Sequence, residues 1–477
     1  MIFLGYFCAL VYGVICLALA SLLYKLGVPK KYTRKVVHIL IGAEWFILYH
    51  TVGMSIHFIA VCLIFTALIW ISYAKSLMPM ISSDKDNAPG TVYYCISMTV
   101  MSVISYFHPA FALPFGIAVL CTSVGDGFAC VIGNLIKVNP KIYKNKTLFG
   151  TAAAFLFSFL SVLVFAKIYN APLTVGEMLL IALFAAGLEL VTGFGLDNIT
   201  LPLCSAAFSY LLLSFEWAGN YSVPIVLTPF IIALVLEKRL LTVKGVLLAV
   251  VCDVAVSVSL GNFGFVYLLS FLLLSVIIDK VKKHVRGNTD DITKRGEHRD
   301  GVQVLANGII PVIAAILFLI TQNGIFIVCY CASLAECFAD SAASGIGMLS
   351  HSAYDIVRFK KIPVGLSGGV SLIGTLASLL SAFAFPLIAL AFGRIDIKWV
   401  LLSGVCAFAG VLLDSLLGSL LQVKYRCTVC GKVTERTEHC GADTEKIGGI
   451  SLINNDAVNV LSCAFSAVLA AVIYVFV

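Results

Sequence analysis

Residues 111–136 read FALPFGIAVLCTSVGDGFACVIGNLI, 26 residues that carry one formal charge, Asp126. About 20 predominantly apolar residues suffice for a helix to cross the hydrocarbon core of a bilayer, so this segment reads as a membrane span. A lone carboxylate at that depth is costly, and it marks either a site or a paired helix contact. Working outward, apolar runs of the same length recur from Ile2 to Val477, and their spacing predicts roughly 16 spanning helices. The expected fold is therefore all-α, a polytopic integral membrane protein. The first run has no basic leader and no small-residue cleavage signal before Lys25, so it reads as a retained span.

Composition supports this class. Of the 477 residues, 60% are hydrophobic and 12% charged, against about a quarter charged in soluble domains. Mean hydropathy is +1.03. The net charge of +7 is no nucleic-acid signal, because the basic residues sit in short connections between apolar runs. They gather at Lys25–Lys35, Lys137–Lys146, Lys238–Lys244, Lys280–Arg299, Arg358–Lys361 and Lys424–Arg436. The positive-inside rule places these connections in the cytoplasm. An even number of spans between successive clusters then puts both termini outside.

The chain reads as two membrane modules, 1–220 and 221–477, with no soluble domain. The second carries cytoplasmic loops at 279–301 and 423–455, the former with seven Lys/Arg and no apolar periodicity. A shorter polar loop, Ser82–Gly90, lies in the first module.

The first module holds one polar constellation. Arg34, Lys35 and His38 open its second helix, and three- and four-residue spacings set His38 on one face with both bases. Asp126 lies between Gly125 and Gly127, which let a phosphate or a second helix approach the backbone closely. Lys144, Lys146 and Thr147 precede the next helix, and lysines at a helix N-terminus suit anions. Glu189, Asp197 and Asn198 supply the oxygen ligands that Mg²⁺ prefers. For each residue there is a plainer role: interfacial anchoring for the bases, helix packing for the Gly-Asp-Gly turn.

Arg34-Lys35-x-x-His38, Gly125-Asp126-Gly127-x-Ala129, Lys146-Thr147-Leu148-x-Gly150-Thr151 and Glu189…Asp197-Asn198…Pro202 together resemble the phytol kinase and dolichol kinase family. Its members are membrane enzymes that phosphorylate a lipid alcohol from CTP or another nucleoside triphosphate. The resemblance implies that Asp126, with Asp197 and Asn198, carries catalysis or Mg²⁺. It also implies that Lys144 and Lys146 hold phosphates.

The second module has its own constellation. Glu336, Asp340 and Ser344 share a helical face, as do Gly410, Asp414 and Gly418. Polar stripes within a membrane must face each other or water. Between them, Gly365 to Ser371 reads as a turn offering backbone N–H groups to phosphate at Ser367, Gly368 and Gly369. Asp456 reads as a helix cap or metal ligand.

Arg299-x-x-x-Gln303-Val304-x-Ala306-Asn307-Gly308, Asp340-Ser341-x-x-Ser344, Gly365-x-x-Gly368-Gly369-Val370-Ser371-x-x-Gly374, Asp414-Ser415-x-x-Gly418 and Asn455-Asp456-x-Val458-Asn459 resemble a membrane family that includes phytyl-phosphate kinases. The chain thus looks like a fusion of the two families. The second resemblance implies Mg²⁺ at Asp340 and Asp414, with Glu336 and Asp456 as further ligands, and Arg299 and Asn307 on phosphates. Gly345 stands where many members carry Glu.

Cys427, Cys430, His439 and Cys440 have the spacing of a structural Zn²⁺ site, and also that of a reduced polar connector. The expected activity is phosphorylation of a prenyl alcohol, with prenyl monophosphate as substrate of the second module. Its partners are the nucleotide, the prenyl substrates and the bilayer, and its active sites face the cytoplasm. The competing readings are a multi-span transporter or lipid flippase, and a kinase whose second module is inactive.

Overall fold

The computed structural model describes residues 2–75, 89–193, 195–286 and 300–477. Arg299 and most of the loops around 76–88 and 287–299 lie outside the described residues, so the phosphate role expected of Arg299 is not addressed. Among the described residues, 12 helices are long and apolar enough to cross a membrane. Further segments counted as spans in the sequence take other forms. Residues 30–51 split into Lys30–Ile41 and Glu44–Thr51. Val175–Val191 has 17 residues. Val243–Arg286, counted once among the 12, comprises two helices that meet at a kink at Gly261, where φ is 64° and ψ −151°.

The chain divides into two compact units, Met1–Glu237 and Lys238–Val477. The helix Ser222–Glu237, assigned from sequence to the second module, belongs to the first. It packs on Val175–Val191, where a Cβ at Gly187 would lie 2.8 Å from the Phe230 ring. Its Glu237 also accepts a hydrogen bond from the Lys144 backbone N–H at 3.2 Å.

In the first unit, helix Ile2–Lys25 buries only Gly5, Ala9, Gly13, Cys16 and Ala20. These small residues recur every three or four positions, which makes one seam for close helix contact. Large side chains such as Phe3, Phe7 and Ile15 are exposed on the outer face, as a lipid-facing surface requires. The most buried span of this unit is Pro109–Leu135. It is helical throughout but widens into a π-turn over Cys121–Asp126, a local distortion that is frequent at functional sites.

In the second unit, Ile325–Gly347 occupies the centre, ringed by the helices 243–286, Gly301–Thr321, Leu372–Ala384, Ile397–Leu420 and Asn455–Phe476. Its composition of Ala, Cys, Ser and Gly allows burial on every side. Tyr267 and Tyr330 anchor the core, each with its hydroxyl donating to a backbone carbonyl, Cys331 and Gly264 respectively. The segment 423–455, expected as a loop, contains four short antiparallel strands between Lys424 and Gly448.

The small-residue seam is testable. A Cβ on Gly5 would lie 2.5 Å from Val52, and one on Gly13 3.1 Å from Phe65. Gly5→Leu and Gly13→Leu should each cost about 1–3 kcal/mol by overpacking and lower the melting temperature in detergent. Phe3→Leu, on the outer face, should leave it unchanged.

Candidate functional site

The glycines flanking Asp126 serve helix approach. A Cβ on Gly125 would meet Ser158 Oγ at 2.2 Å, and one on Gly127 would meet Ile39 Cγ1 at 2.3 Å. Helix Leu148–Tyr169 can therefore close on one side and helix Lys30–Ile41 on the other. The second contact carries Lys35 and His38 to the carboxylate. Lys35 Nζ lies 2.5 Å from Asp126 Oδ2, and His38 Nε2 lies 3.3 Å from the same oxygen and 3.0 Å from the Thr122 carbonyl.

A second ion pair sits beside the first. Residues Lys141–Tyr143 and Lys146–Thr147 form a tight antiparallel hairpin, with Lys144 at its left-handed turn (φ 48°). Thr147 then caps helix Leu148–Tyr169 by accepting from the Gly150 N–H at 3.3 Å. This fixes Lys146, whose Nζ lies 2.5 Å from Glu189 Oε1. Burial disfavours the Lys146 charge, but Glu189, Asp126 and Asp197 outweigh it and raise its pKa above the usual value. Lys144 is turned elsewhere, with its ammonium over the Tyr143 ring. Asp197 accepts from the Asn198 backbone and side-chain amides at 3.1 and 3.0 Å. Lys35 and Lys146 both lie within electrostatic reach of Asp126 and Asp197.

This polar cluster adjoins a cavity of about 510 Å³. Arg34, Lys35, His38, Asp197 and Asn198 line part of it, and apolar side chains including Phe58, Val61, Phe65 and Phe115 line the remainder. Leu10, Val14, Leu68 and Ile71 line the cavity and are also exposed on the apolar exterior. Glu44, unremarked in the sequence reading, lines it too. It is 8% exposed, and its Oε1 has no hydrogen-bond partner. The signal was available, since Glu44 is an acid inside an apolar run.

In the second unit, the helices carrying Asn307, Glu336 with Asp340, Asp414 and Asn459 pack together. Asn459 Nδ2 donates to Asn307 Oδ1 at 3.4 Å, and Ser462 Oγ donates to Asp414 Oδ2 at 3.5 Å. Glu336 is 1% exposed with Oε1 unpartnered, and Asp340 and Asp414 lie within electrostatic reach of it. The two polar stripes thus face each other. A Cβ on Gly410 would sit 2.6 Å from Glu336 Cγ.

Two expectations are corrected here. Asn454, not Asp456, caps the last helix, accepting from the Ala457 N–H at 2.9 Å, because the helix begins at Asn455. The Gly365–Gly369 turn does not present open N–H groups throughout. Ser367 donates both its N–H, at 3.1 Å, and its hydroxyl to Glu435 Oε1. Gly369 N–H donates to the Leu366 carbonyl. Gly368, at φ +83°, packs on the Ser419 backbone, where a Cβ would come within 2.5 Å. Below the turn, burial works against the Asp355 charge, but N–H donors from Arg358 and Val357 and the Ser419 hydroxyl hold its carboxyl below the usual range. Cys427, Cys430, His439 and Cys440 also come together, with one ligand atom of each within 4.8 Å of the others.

The fold and these clusters define a polytopic helical membrane protein with buried carboxylate sites in both units. Residues 226–467, just over half of the chain, match the family described as integral membrane protein DUF92, and the chain belongs to that family. It is 33% identical to an uncharacterised membrane protein of Methanocaldococcus jannaschii, over 41% of this chain and 80% of that one. It is 30% identical to Protein PGR of Arabidopsis thaliana, over 45% and 83%. It is 31% identical to a phytol kinase of Synechocystis sp., over 42% and 85%. No solved structure matches it.

Removing one member of a buried ion pair strands the other, at about 3–5 kcal/mol, whereas replacing both by apolar groups costs far less. Lys35→Met and Asp126→Leu should each destabilise the protein by that amount. The double variant should fall well short of their sum, as read from thermal unfolding in detergent.

Proposed function

We propose that the chain is a membrane prenyl-alcohol kinase whose first unit transfers the γ-phosphoryl group of CTP or another nucleoside triphosphate to an alcohol such as phytol, geranylgeraniol or farnesol. The observation that carries this reading is the cavity beside the Lys35–Asp126 pair, apolar along most of its wall and charged where Arg34 and Lys35 enter. Its volume falls within the range of about 300–1,000 Å³ usual for small-molecule pockets. Lining residues shared with the lipid-facing surface give a prenyl chain a way in from the bilayer. The phytol kinase relative supports the same substrate class.

In this reaction the alcohol oxygen bonds to the γ-phosphorus, the bond from that phosphorus to the β–γ bridging oxygen breaks, and the nucleoside diphosphate leaves. Asp126 accepts the hydroxyl proton, and Lys35, Lys146 and Arg34 neutralise phosphate charge. Phosphoryl transfer depends mainly on such positioning and charge neutralisation. Mg²⁺ would neutralise charge on the phosphates. With Asp126 kept as the base, Glu189 and Asp197 would supply oxygen ligands to it in the first unit. In the second, the unpartnered Glu336 oxygen beside Asp340 and Asp414 suits a divalent cation.

The second unit, on this reading, adds a further phosphoryl group to the monophosphate to give the diphosphate. The chain would then be a fusion of two kinases in series, with both sites open to the cytoplasm. Each relative aligns over less than half of this chain while most of its own length is covered, as such a fusion requires.

Purified protein in detergent, given Mg²⁺, labelled nucleoside triphosphates and geranylgeraniol or phytol, should yield both phosphates. Asp126→Asn should lower total product by about 10²–10³-fold. Asp340→Asn should abolish diphosphate while monophosphate accumulates. Monophosphate alone from the unaltered protein would restrict activity to the first unit. No phosphorylated product with any alcohol would sink the proposal in favour of transport.

A further inference from the structure

Cys427 ends the strand Lys424–Cys427, and Cys430 lies in the turn after it. His439 ends the short strand Glu438–His439, and Cys440 follows at φ 56°. The two turns meet. His439 Nδ1 lies 3.5 Å from Cys430 Sγ and 3.2 Å from Cys440 Sγ. Cys427 Sγ accepts the backbone N–H groups of Val429 and Cys430, each at 3.4 Å. Backbone N–H bonds of this kind orient metal ligands. Tetrahedral zinc, with Zn–S near 2.3 Å and Zn–N near 2.0–2.1 Å, sets its ligand atoms about 3.6–3.8 Å apart. The two sulfur–nitrogen separations, 3.5 and 3.2 Å, lie just inside that spacing. All three cysteines are free thiols.

The geometry points to a Cys₃His zinc site at Cys427, Cys430, His439 and Cys440, which clamps the Gly365–Gly369 turn through Glu435. Binding would release the thiol protons to solvent. Glu435 lies between the two ligand pairs in sequence, so the metal would fix both ends of the segment that carries it. From there the carboxylate takes the N–H and hydroxyl of Ser367. The metal is thus structural, and its reach extends to the turn that packs on Ser419 at the end of helix Ile397–Leu420.

The test uses the full-length protein without a histidine tag, expressed with zinc and purified in detergent. Elemental analysis should find about one zinc per chain. Paired Cys427→Ser and Cys430→Ser substitutions should remove it, and Cys204→Ser, in the first unit, should not. Cobalt exchange should give the visible absorption of tetrahedral thiolate coordination. Chelating the unaltered protein, which avoids any misfolded variant, should speed hydrogen exchange across residues 365–371 at least several-fold. In Glu435→Gln the same residues should exchange fast from the outset, with little further change on chelation. Substoichiometric zinc after reconstitution, zinc retained in the paired variant, or a native disulfide among these cysteines would overturn the site. Unchanged exchange at 365–371 after zinc removal would overturn the clamp.

Discussion

A charge buried in a bilayer-embedded helix bundle must be matched inside the protein, and the Lys35–Asp126 pair is where the first unit meets that demand. Moving either group from water into a low-dielectric interior costs several kcal/mol even after relaxation. The pair therefore adds little net stability. What it does is fix geometry, because forming it holds helix Lys30–Ile41 against Pro109–Leu135. Gly125 and Gly127 make that approach possible on either side of the acid. Lys146 and Glu189 repeat the arrangement one helix further on. Four charges thus occupy an interior that could not hold any one of them alone.

The second unit meets the same constraint differently. Its central helix is buried on nearly every side, so its acids are shielded by position as well as by partners. Glu336 keeps one oxygen without a hydrogen bond, which marks a place where the fold tolerates a deficit. Around the end of the bundle that carries Asp340 and Asp414, polar segments pack on one another through Ser367, Glu435, Asp355 and Ser419. These contacts join residues 64 and 68 positions apart in sequence.

Fold class was legible because apolar run length measures bilayer thickness directly. The residues of the first cluster were legible as candidates, because Arg34, Lys35, His38, Asp126, Lys146 and Glu189 are charged or titratable groups within or beside apolar segments. Their pairing was not, since spacing along one helix says nothing of which helix lies opposite. The Gly-Asp-Gly turn left phosphate or helix approach open, and only the positions of Ser158 and Ile39 decide it. The compact units divide after Glu237, later than the module boundary at 220/221, because Phe230 and Pro229 of Ser222–Glu237 pack against Gly187. The sheet within 423–455 was missed because its strands are short and charged, with no apolar alternation to reveal them.

The placement of the acids along their helices bears on what kind of chemistry they serve. Asp126 lies about two-thirds of the way along Pro109–Leu135 and Lys35 midway along Lys30–Ile41, whereas Glu189 is near the end of Val175–Val191 and Asp197 opens Asp197–Ser214. Glu189 and Asp197 thus bring helix ends to the cluster, where Lys146 also enters from the hairpin. An alternating-access transporter holds its site near the bilayer midplane, accessible in turn from either side. A water-soluble triphosphate needs the opposite arrangement, a charged site at one face. A prenyl chain needs an apolar space leading from lipid to that site. The cavity lined by Leu10, Val14, Phe65 and Lys35 brings both kinds of surface to one place, and a reaction between a membrane alcohol and an aqueous anion requires that meeting point.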